Sequence, residues 1–406
     1  MRIGIFTDTY PPYINGVSTS IQMLERALRK KGHQVFIVTV NPENMTYKYE
    51  KNIIRIPGIP IGIYDYRLTG IYPVRAIKTI KKWNLDVIHS HTEFGIGTFA
   101  RIIAKQLNIP LVHTYHTMYE DYVHYITKGY FNDTSKKIVE YLTKFYCDKT
   151  AKELIVPTKK AYDLFKEKYK VDKNVHIIPT GIEIDRFYKE NLDKKRLEQL
   201  KKDLNIKKED FVILYVGRLA EEKNVEFLIE NQEYFVKKNK NAKLLIVGSG
   251  PDYDKYVKKG EKLKENIIFT GKVPYENIPY YYNIGTMFVT ASTTETQGLT
   301  LIEAMSTSMP VVCIDDESFK NTIIDGLNGF IFKNKKEYRK AIDDLMNDNK
   351  LLKKLGEQAK ISTAEYSSKY YAERVLDVYK KTINENIRKK TFFGRIKEVI
   401  KNGFKN

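Results

Sequence analysis

Met287-Phe-Val-Thr-Ala-Ser-Thr-Thr-Glu295-Thr-Gln-Gly298-Leu-Thr-Leu-Ile-Glu303-Ala-Met305 runs from one apolar segment through a polar loop into another. The first segment reads as a strand and the second, from Gly298, as the first turns of a helix. A strand that feeds a helix through a loop points backbone N–H groups beyond the sheet edge, where the helix dipole favours an anion. Glu295 would lie in the loop and Glu303 two turns into the helix, roughly 12 Å apart at about 1.5 Å per residue. Carboxylates accept the paired donors of sugar hydroxyls, and this separation suits the two ends of a nucleotide-sugar. Two glutamates on a surface helix are the plainer alternative. Against it, Thr293, Thr294, Thr296 and Gln297 make the loop unusually polar, and Gly298 permits close backbone approach.

The same strand–helix alternation extends in both directions. Upstream lie Phe211-Val-Ile-Leu-Tyr-Val-Gly217, Lys243-Leu-Leu-Ile-Val-Gly248 and Asn266-Ile-Ile-Phe269, and downstream Pro310-Val-Val-Cys-Ile314. Before a strongly charged stretch at 187–209 comes an earlier series: Arg2-Ile-Gly-Ile-Phe-Thr7, Val35 to Val40, Ile53 to Ile56, Asp86 to His89, Pro110 to Tyr115, Leu154 to Val156 and Val175 to Ile178. Helical patterns lie between most of these, as at Val17 to Lys31 and Gly97 to Gln106. Such alternation predicts an α/β fold with parallel sheets covered on both faces. At 406 residues the chain suits two doubly wound domains. The expected division is residues 1–186 and 187–374, with a C-terminal helix at 375–406 packing back on the first domain.

Ligands of such sheets sit beyond the carboxyl ends of the strands. Arg218 and Lys223 follow the strand at Phe211 and stand near a helix N-terminus, where a guanidinium and an ammonium suit a diphosphate. A pair of ordinary surface cations is the alternative. Gly248-Ser-Gly-Pro251 is a turn that can approach the same ligand, and Lys272-Val273-Pro-Tyr-Glu276 can offer backbone groups to a base. His116 ends the strand beginning at Pro110. His89, His91 and His113 occupy similar places, but they lack a carboxylate at metal-ligand spacing, so no metal site is expected. Asp315-Asp316 has no further support as one.

Composition narrows the class. Hydrophobic residues make up 42% and charged residues 29%, which describes a globular chain rather than a disordered one. Cys147 and Cys313 are far apart, so a disulfide framework is not expected and a reducing cytoplasm is the default. Asp8, Pro11, Pro12 and Asn15 interrupt the opening residues, unlike a signal peptide, and no apolar run reaches the length of a membrane span. The formal charge of +19 leaves three partners open: nucleic acid, an anionic membrane surface and acidic small molecules. The absence of a recognition-helix or RNP-like motif sets nucleic acid aside.

Taken in order, Pro11-Pro-x-x-Asn15-Gly16, His116, Gly217-Arg-Leu with Glu222-Lys-Asn224, Val247-Gly-x-Gly-Pro251 and Glu295-x(7)-Glu303 resemble the retaining glycosyltransferases of family 4, which have the GT-B fold. Five motifs in one order, spread over essentially the whole chain, are far more specific than any alone. Within that family, His113-Thr-Tyr-His-Thr-Met-Tyr-Glu-Asp-Tyr122 is similar to the bacterial 1,2-diacylglycerol 3-alpha-glucosyltransferases, which make glycolipids and lipoteichoic acid anchors.

The resemblance implies transfer of a hexose, with glucose from UDP-glucose as the expected donor, to the 3-hydroxyl of diacylglycerol with retained anomeric configuration. It implies that Glu303 holds the ribose and Glu295 a sugar hydroxyl, while Gln297, Gly298 and Leu299 meet sugar and phosphates through their backbone. Arg218 and Lys223 would bind the diphosphate, Gly16 would admit the first loop to it, Val273 would serve the base, and His116 would touch the sugar. Asn15 replaces a glycine found in many relatives, which leaves the approach of that loop open. No cofactor and no active-site metal are implied.

A lipid acceptor calls for peripheral attachment, expected at the inner face of the bacterial plasma membrane. Two basic amphipathic segments are candidates. In 64–83, Val74, Ile77, Ile80 and Trp83 recur at helical spacing among Arg75, Lys78, Lys81 and Lys82. In 388–404, Phe392, Phe393, Ile396, Val399, Ile400 and Phe404 stand among lysines and arginines. A domain-packing helix is the alternative reading, above all for the first. A glycosyltransferase of the same fold acting on a soluble or polysaccharide acceptor, and a nucleotide-sugar epimerase, remain as rival functions.

Overall fold

The computed structural model describes residues 1–13, 15–60, 67–93, 95–116, 144, 151–295 and 297–403, with side chains at all of these except 389–390 and 392–403. Residues 117–122 of the histidine motif, Thr296, residues 64–66 and the apolar side chains of 388–404 therefore lie outside the described set.

The chain forms two compact units, Met1–Gly181 with Ser368–Asn406, and Ile182–Ser367. The crossing falls at 181/182 rather than 186/187 because Ile182, Ile184 and Phe187 are buried in the core of the second unit. It returns at Ser368, where a helix from Ser368 to Gly403 begins. Tyr371, Ala372, Val375, Leu376, Val378 and Tyr379 of that helix are buried against the strands and first helix of the first unit.

The first unit is built on an eight-stranded sheet. Its strands are Arg2–Phe6 (β1), Gln34–Val40 (β2), Lys48–Glu50 (β3), Ile53–Ile56 (β4), Val87–Ser90 (β7), Leu111–Thr114 (β8), Glu153–Val156 (β9) and Asn174–Ile177 (β10), in the order β10-β9-β8-β7-β1-β2-β4-β3. All neighbours are parallel except β3 with β4. A separate hairpin pairs Gly58–Pro60 (β5) with Arg67–Thr69 (β6). Helices cover both faces, Gly16–Lys30 and Ser368–Gly403 on one and Val74–Lys82 and Gly95–Leu107 on the other. Burial on both faces explains why the central strands read as continuous apolar runs rather than alternating ones.

The second unit has six parallel strands: Phe211–Val216 (β11), Ala242–Val247 (β12), Ile267–Phe269 (β13), Met287–Thr290 (β14), Val311–Ile314 (β15) and Gly329–Phe332 (β16). Their order is β13-β12-β11-β14-β15-β16. From β11 the chain goes outward to β12 and β13, then returns to lay β14 on the other side of β11. The loops after β11 and β14 therefore leave a topological switch point in opposite directions, where an open α/β sheet forms its ligand crevice. In the first unit the equivalent point lies between β1 and β7.

Candidate active site

The two switch-point loops of the second unit meet through their charges. After β11 the chain turns through Gly217 and a short helical turn at Glu221–Lys223, then enters the helix Val225–Lys238 by way of Asn224, which holds a left-handed φ of 50°. Arg218 pairs with Glu222 within this loop. Lys223 reaches across to the loop after β14, where its Nζ lies 2.5 Å from Oε1 of Glu295. Thr294 Oγ1 donates to the backbone oxygen of Glu222 at 3.5 Å, a second tie between the loops. Both predicted cations thus stand at the predicted strand ends, each beside a carboxylate.

Glu295 is held from behind. Ser318 Oγ donates to the Glu295 carbonyl at 2.6 Å and also contacts Oδ1 of Asp316, so the loop after β15 braces the loop after β14. The Asp315-Asp316 pair, unassigned in the sequence, serves here through Asp316. Gln297 is buried, and Gly298 takes φ = 72° immediately before the helix Leu299–Ser306. A Cβ at Gly298 would come within 2.7 Å of the Phe319 ring, so glycine is required both by conformation and by packing. This left-handed residue starts the helix at Leu299. Glu303 is consequently its fifth residue, not two turns in, and a helical rise does not measure its distance from Glu295.

Glu303 is buried. Its Oε2 accepts from the Tyr282 hydroxyl at 2.8 Å. Loss of hydration pushes its carboxyl up to about 7, opposed by the Tyr282 hydroxyl, the charge of Arg186 and the Tyr275 hydroxyl. Arg186 is itself positioned by stacking on Tyr275, with Cζ 4.3 Å from the ring centre, and by donating to the Tyr275 carbonyl. Tyr282, Tyr275 and Arg186 escaped the sequence reading. They come from a helix and two turns with no apolar periodicity or motif to mark them. The Val273 side chain packs on the core of this unit, which leaves its backbone as the part available to a ligand.

The glycine turn after β12 has a mainly structural explanation. Gly248 has φ = 140°, and a Cβ there would lie 1.9 Å from the Gly217 carbonyl oxygen. At Gly250 the corresponding distance to the Leu219 oxygen is 2.2 Å. These glycines let the turn lie directly on the Gly217-Arg-Leu loop, where Leu219 N donates to Ser249 O at 3.1 Å.

In the first unit, Asn15 caps the helix Gly16–Lys30 by accepting from Ser18 N at 2.9 Å. Gly16 opens that helix with nothing within 4 Å of a Cβ position. His116 follows β8, and its Nε2 lies 2.8 Å from Nδ1 of His91. His113 contacts Ser90 and Glu93, and His89 contacts Tyr379 and Thr114, so these two rings are fully engaged inside the fold.

Residues 14–186 match the model of Glycosyltransferase Family 4, and residues 197–362 match that of Glycosyl transferases group 1. An alpha-monoglucosyldiacylglycerol synthase of Acholeplasma laidlawii is 36% identical over 397 residues, covering 96% of this chain and 99% of its own. The chain belongs to the family 4 glycosyltransferases. A second alpha-monoglucosyldiacylglycerol synthase, from Streptococcus pneumoniae, is 34% identical, covering 95% of this chain and 87% of its own length. Among solved structures, Anabaena Alr3699/HepE in complex with UDP-glucose superposes with a TM-score of 0.71 over 93% of this glycosyltransferase and 99% of that chain, at 15% identity. The fold is GT-B, as expected, and the chain is an enzyme of glycosyl transfer.

One expectation needs correction. Of the apolar stripe in 64–83, Ile77, Ile80 and Trp83 are buried in the core of the first unit and are not available to a bilayer. Helical periodicity located the helix but gave no information on which surface its apolar face meets. What remains exposed is its cationic face, Arg75, Lys78, Lys81 and Lys82, together with Val74 and, before it, Ile59, Leu68, Ile71 and Tyr72. Among the described residues, no helix is long and apolar enough to cross a membrane.

Proposed function

We propose that this enzyme transfers glucose from UDP-glucose to the 3-hydroxyl of 1,2-diacylglycerol, with retention, at the cytoplasmic surface of an anionic membrane. The observation that carries the reading is the contact of Lys223 with Glu295 at the switch point of the second sheet. On this reading the ammonium serves the diphosphate and the carboxylate beside it accepts from a sugar hydroxyl, which the contact supports by holding the two side chains together. Choice of glucose and diacylglycerol is supported by the two alpha-monoglucosyldiacylglycerol synthases, which match along most of their length.

On this reading Glu303 accepts from the ribose, Val273 offers backbone groups to the uracil, and the backbone at Gln297, Gly298 and Leu299 faces sugar and phosphates. Arg218 and Lys223 neutralise the negative charge that grows on the departing UDP, a contribution that is larger in a water-poor site. His116 touches the transferred sugar and Gly16 admits the first loop to the diphosphate. The acceptor hydroxyl attacks the anomeric carbon from the face the UDP leaves, and its proton passes to the leaving phosphate. The reading needs no cofactor and no metal in the active site.

Docking is assigned to the hairpin β5–β6 and the start of the helix Val74–Lys82. Val74 is 66% exposed and Ile71 57%, beside four lysine and arginine side chains. Cations at an anionic lipid surface contribute about 1 kcal/mol each. The deciding experiment presents purified enzyme with a panel of nucleotide-sugars and with diacylglycerol in mixed vesicles, and reads the product linkage by NMR. An α-glucosyl diacylglycerol made only from UDP-glucose is the expected product. Turnover of a soluble acceptor with none of the lipid would overturn the reading.

A further inference from the structure

The His91–His116 contact constrains where protons can sit. A neutral imidazole carries one N–H, so a bond between His91 Nδ1 and His116 Nε2 has two arrangements. If His116 Nε2 donates, His91 carries its only proton on Nε2. That nitrogen is buried and, among the described residues, meets no hydrogen-bond partner. Folded interiors avoid a buried N–H with no acceptor, because its hydration is lost and nothing replaces it. If His91 Nδ1 donates instead, the buried Nε2 is a bare lone pair, and His116 must carry its own proton on Nδ1.

Both rings are neutral near pH 7. Burial and the neighbouring rings of His89, His116 and His113 hold His91 well below the ordinary histidine range. Loss of hydration pushes His116 down to about 4, despite the opposing charge of Glu93. The other groups facing this cluster are engaged elsewhere. His89 bridges Tyr379 and Thr114, and His113 is held by Ser90 and Glu93 with the Arg101 charge nearby. The rings of His89 and His91 lie with centroids 4.0 Å apart, which locks the plane of His91.

We infer that His91 is a positioning residue that donates from Nδ1 to Nε2 of His116, fixing His116 as an Nδ1–H tautomer that serves the sugar as a hydrogen-bond donor and not as a base. The inference rests on the proposed contact between His116 and the transferred sugar. His116 then meets a sugar or phosphate oxygen with a proton in place, and the acceptor hydroxyl must lose its proton elsewhere, to the leaving phosphate.

The test combines spectroscopy with kinetics on the full chain. With ¹⁵N-histidine labelling, long-range proton–nitrogen correlations near pH 7.5 report which ring nitrogen is protonated, and His91→Asn and His116→Asn spectra assign the signals. His116 should appear protonated at Nδ1 and bare at Nε2, and the opposite pattern overturns the inference. His91→Leu should move His116 toward the Nε2–H form and lower kcat about tenfold or more with donor KM within about twofold. His91→Asn, which keeps an N–H near the Nδ1 position, should recover activity to within about threefold of the parent. Equal losses in the two variants at matched thermal stability, or full activity in His91→Leu, would count against it. Full activity in His116→Ala would remove the sugar contact instead, while the tautomer spectrum still decides the role of His91.

Discussion

The ammonium of Lys223 and the carboxylate of Glu295, 72 residues apart in the chain, meet at 2.5 Å across the switch point of the second sheet. The pair is partly exposed, so a diphosphate or a sugar hydroxyl can reach it. A cation already oriented by its neighbour needs little reorganisation when leaving-group charge develops. Lys223→Ala is therefore expected to lower kcat by about two to three orders of magnitude with a smaller change in donor KM. Because the residues touch, the loss in a Lys223→Ala/Glu295→Ala double variant should fall well short of the product of the single losses. Multiplicative losses would show that the two act independently.

Glu303 gives a pH prediction of defined sign. Its carboxyl titrates near 7 in the folded protein, above the ordinary glutamate value of 4.5. The native state therefore keeps this proton after the unfolded chain has released it, and stability falls as pH rises from about 4.5 to about 7, then levels off. The difference corresponds to at most roughly 3 kcal/mol. Glu303→Gln should flatten this part of the curve, so urea midpoints at pH 5 and pH 8 should differ less in the variant. Donor KM should also fall as pH rises through 7 in the parent, since the ionised carboxylate accepts ribose hydroxyls better, and stay level in Glu303→Gln.

Tyr282 acts on the same group. Its hydroxyl donates to Glu303 at 2.8 Å and favours the ionised form. In Tyr282→Phe the KM transition should move to higher pH, and stability should drop by about 1–2 kcal/mol. An unmoved transition would mean that this hydrogen bond does not tune the carboxylate.

Much of this arrangement could be read from the chain because parallel strands buried on both faces leave short apolar runs cut by glycine and proline. Gly217 and Gly248 mark two of those strand ends and Gly298 the start of the helix that follows a third; Arg218 and Lys223 lie just beyond Gly217, and Glu295 in the loop before Gly298. What could not be read is contact. Arg218 and Lys223 looked like a pair awaiting one ligand, yet each lies against its own carboxylate, Glu222 and Glu295. The Tyr282–Tyr275–Arg186 setting of Glu303 depends on packing between segments that are far apart in the chain, which no local pattern records. Ile77, Ile80 and Trp83 show the converse, since an apolar stripe has the same spacing whether it meets a bilayer or a core.

The glycines separate fold from function. Gly248→Ala places a methyl group against the Gly217 oxygen at φ = 140° and should destabilise the second unit by about 3 kcal/mol or more. Gly16→Ala meets nothing within 4 Å and sits at a helix start, so its melting temperature should match the parent. Any loss of activity in Gly16→Ala then reports on approach to a ligand. If Gly16→Ala is fully active, the proposed nearness of this loop to the diphosphate is wrong.

Membrane docking is testable apart from chemistry because Val74 lies outside the buried face of its helix and Ile71 precedes that helix, both exposed. Ile71→Asp with Val74→Asp puts charge where acyl chains would lie, yet both positions are solvent-exposed, so folding should be unaffected. Arg75→Glu with Lys78→Glu reverses two exposed cations and should cost about 1 kcal/mol of lipid affinity for each cation lost, and more from the added repulsion. Both double variants should sediment poorly with anionic vesicles while retaining turnover of diacylglycerol dispersed in detergent. The cation reversal should matter less as salt is raised, because screening weakens the attraction it removes, whereas the apolar substitutions should remain damaging at every salt concentration. Unchanged sedimentation of both variants would move the docking surface away from the start of this helix.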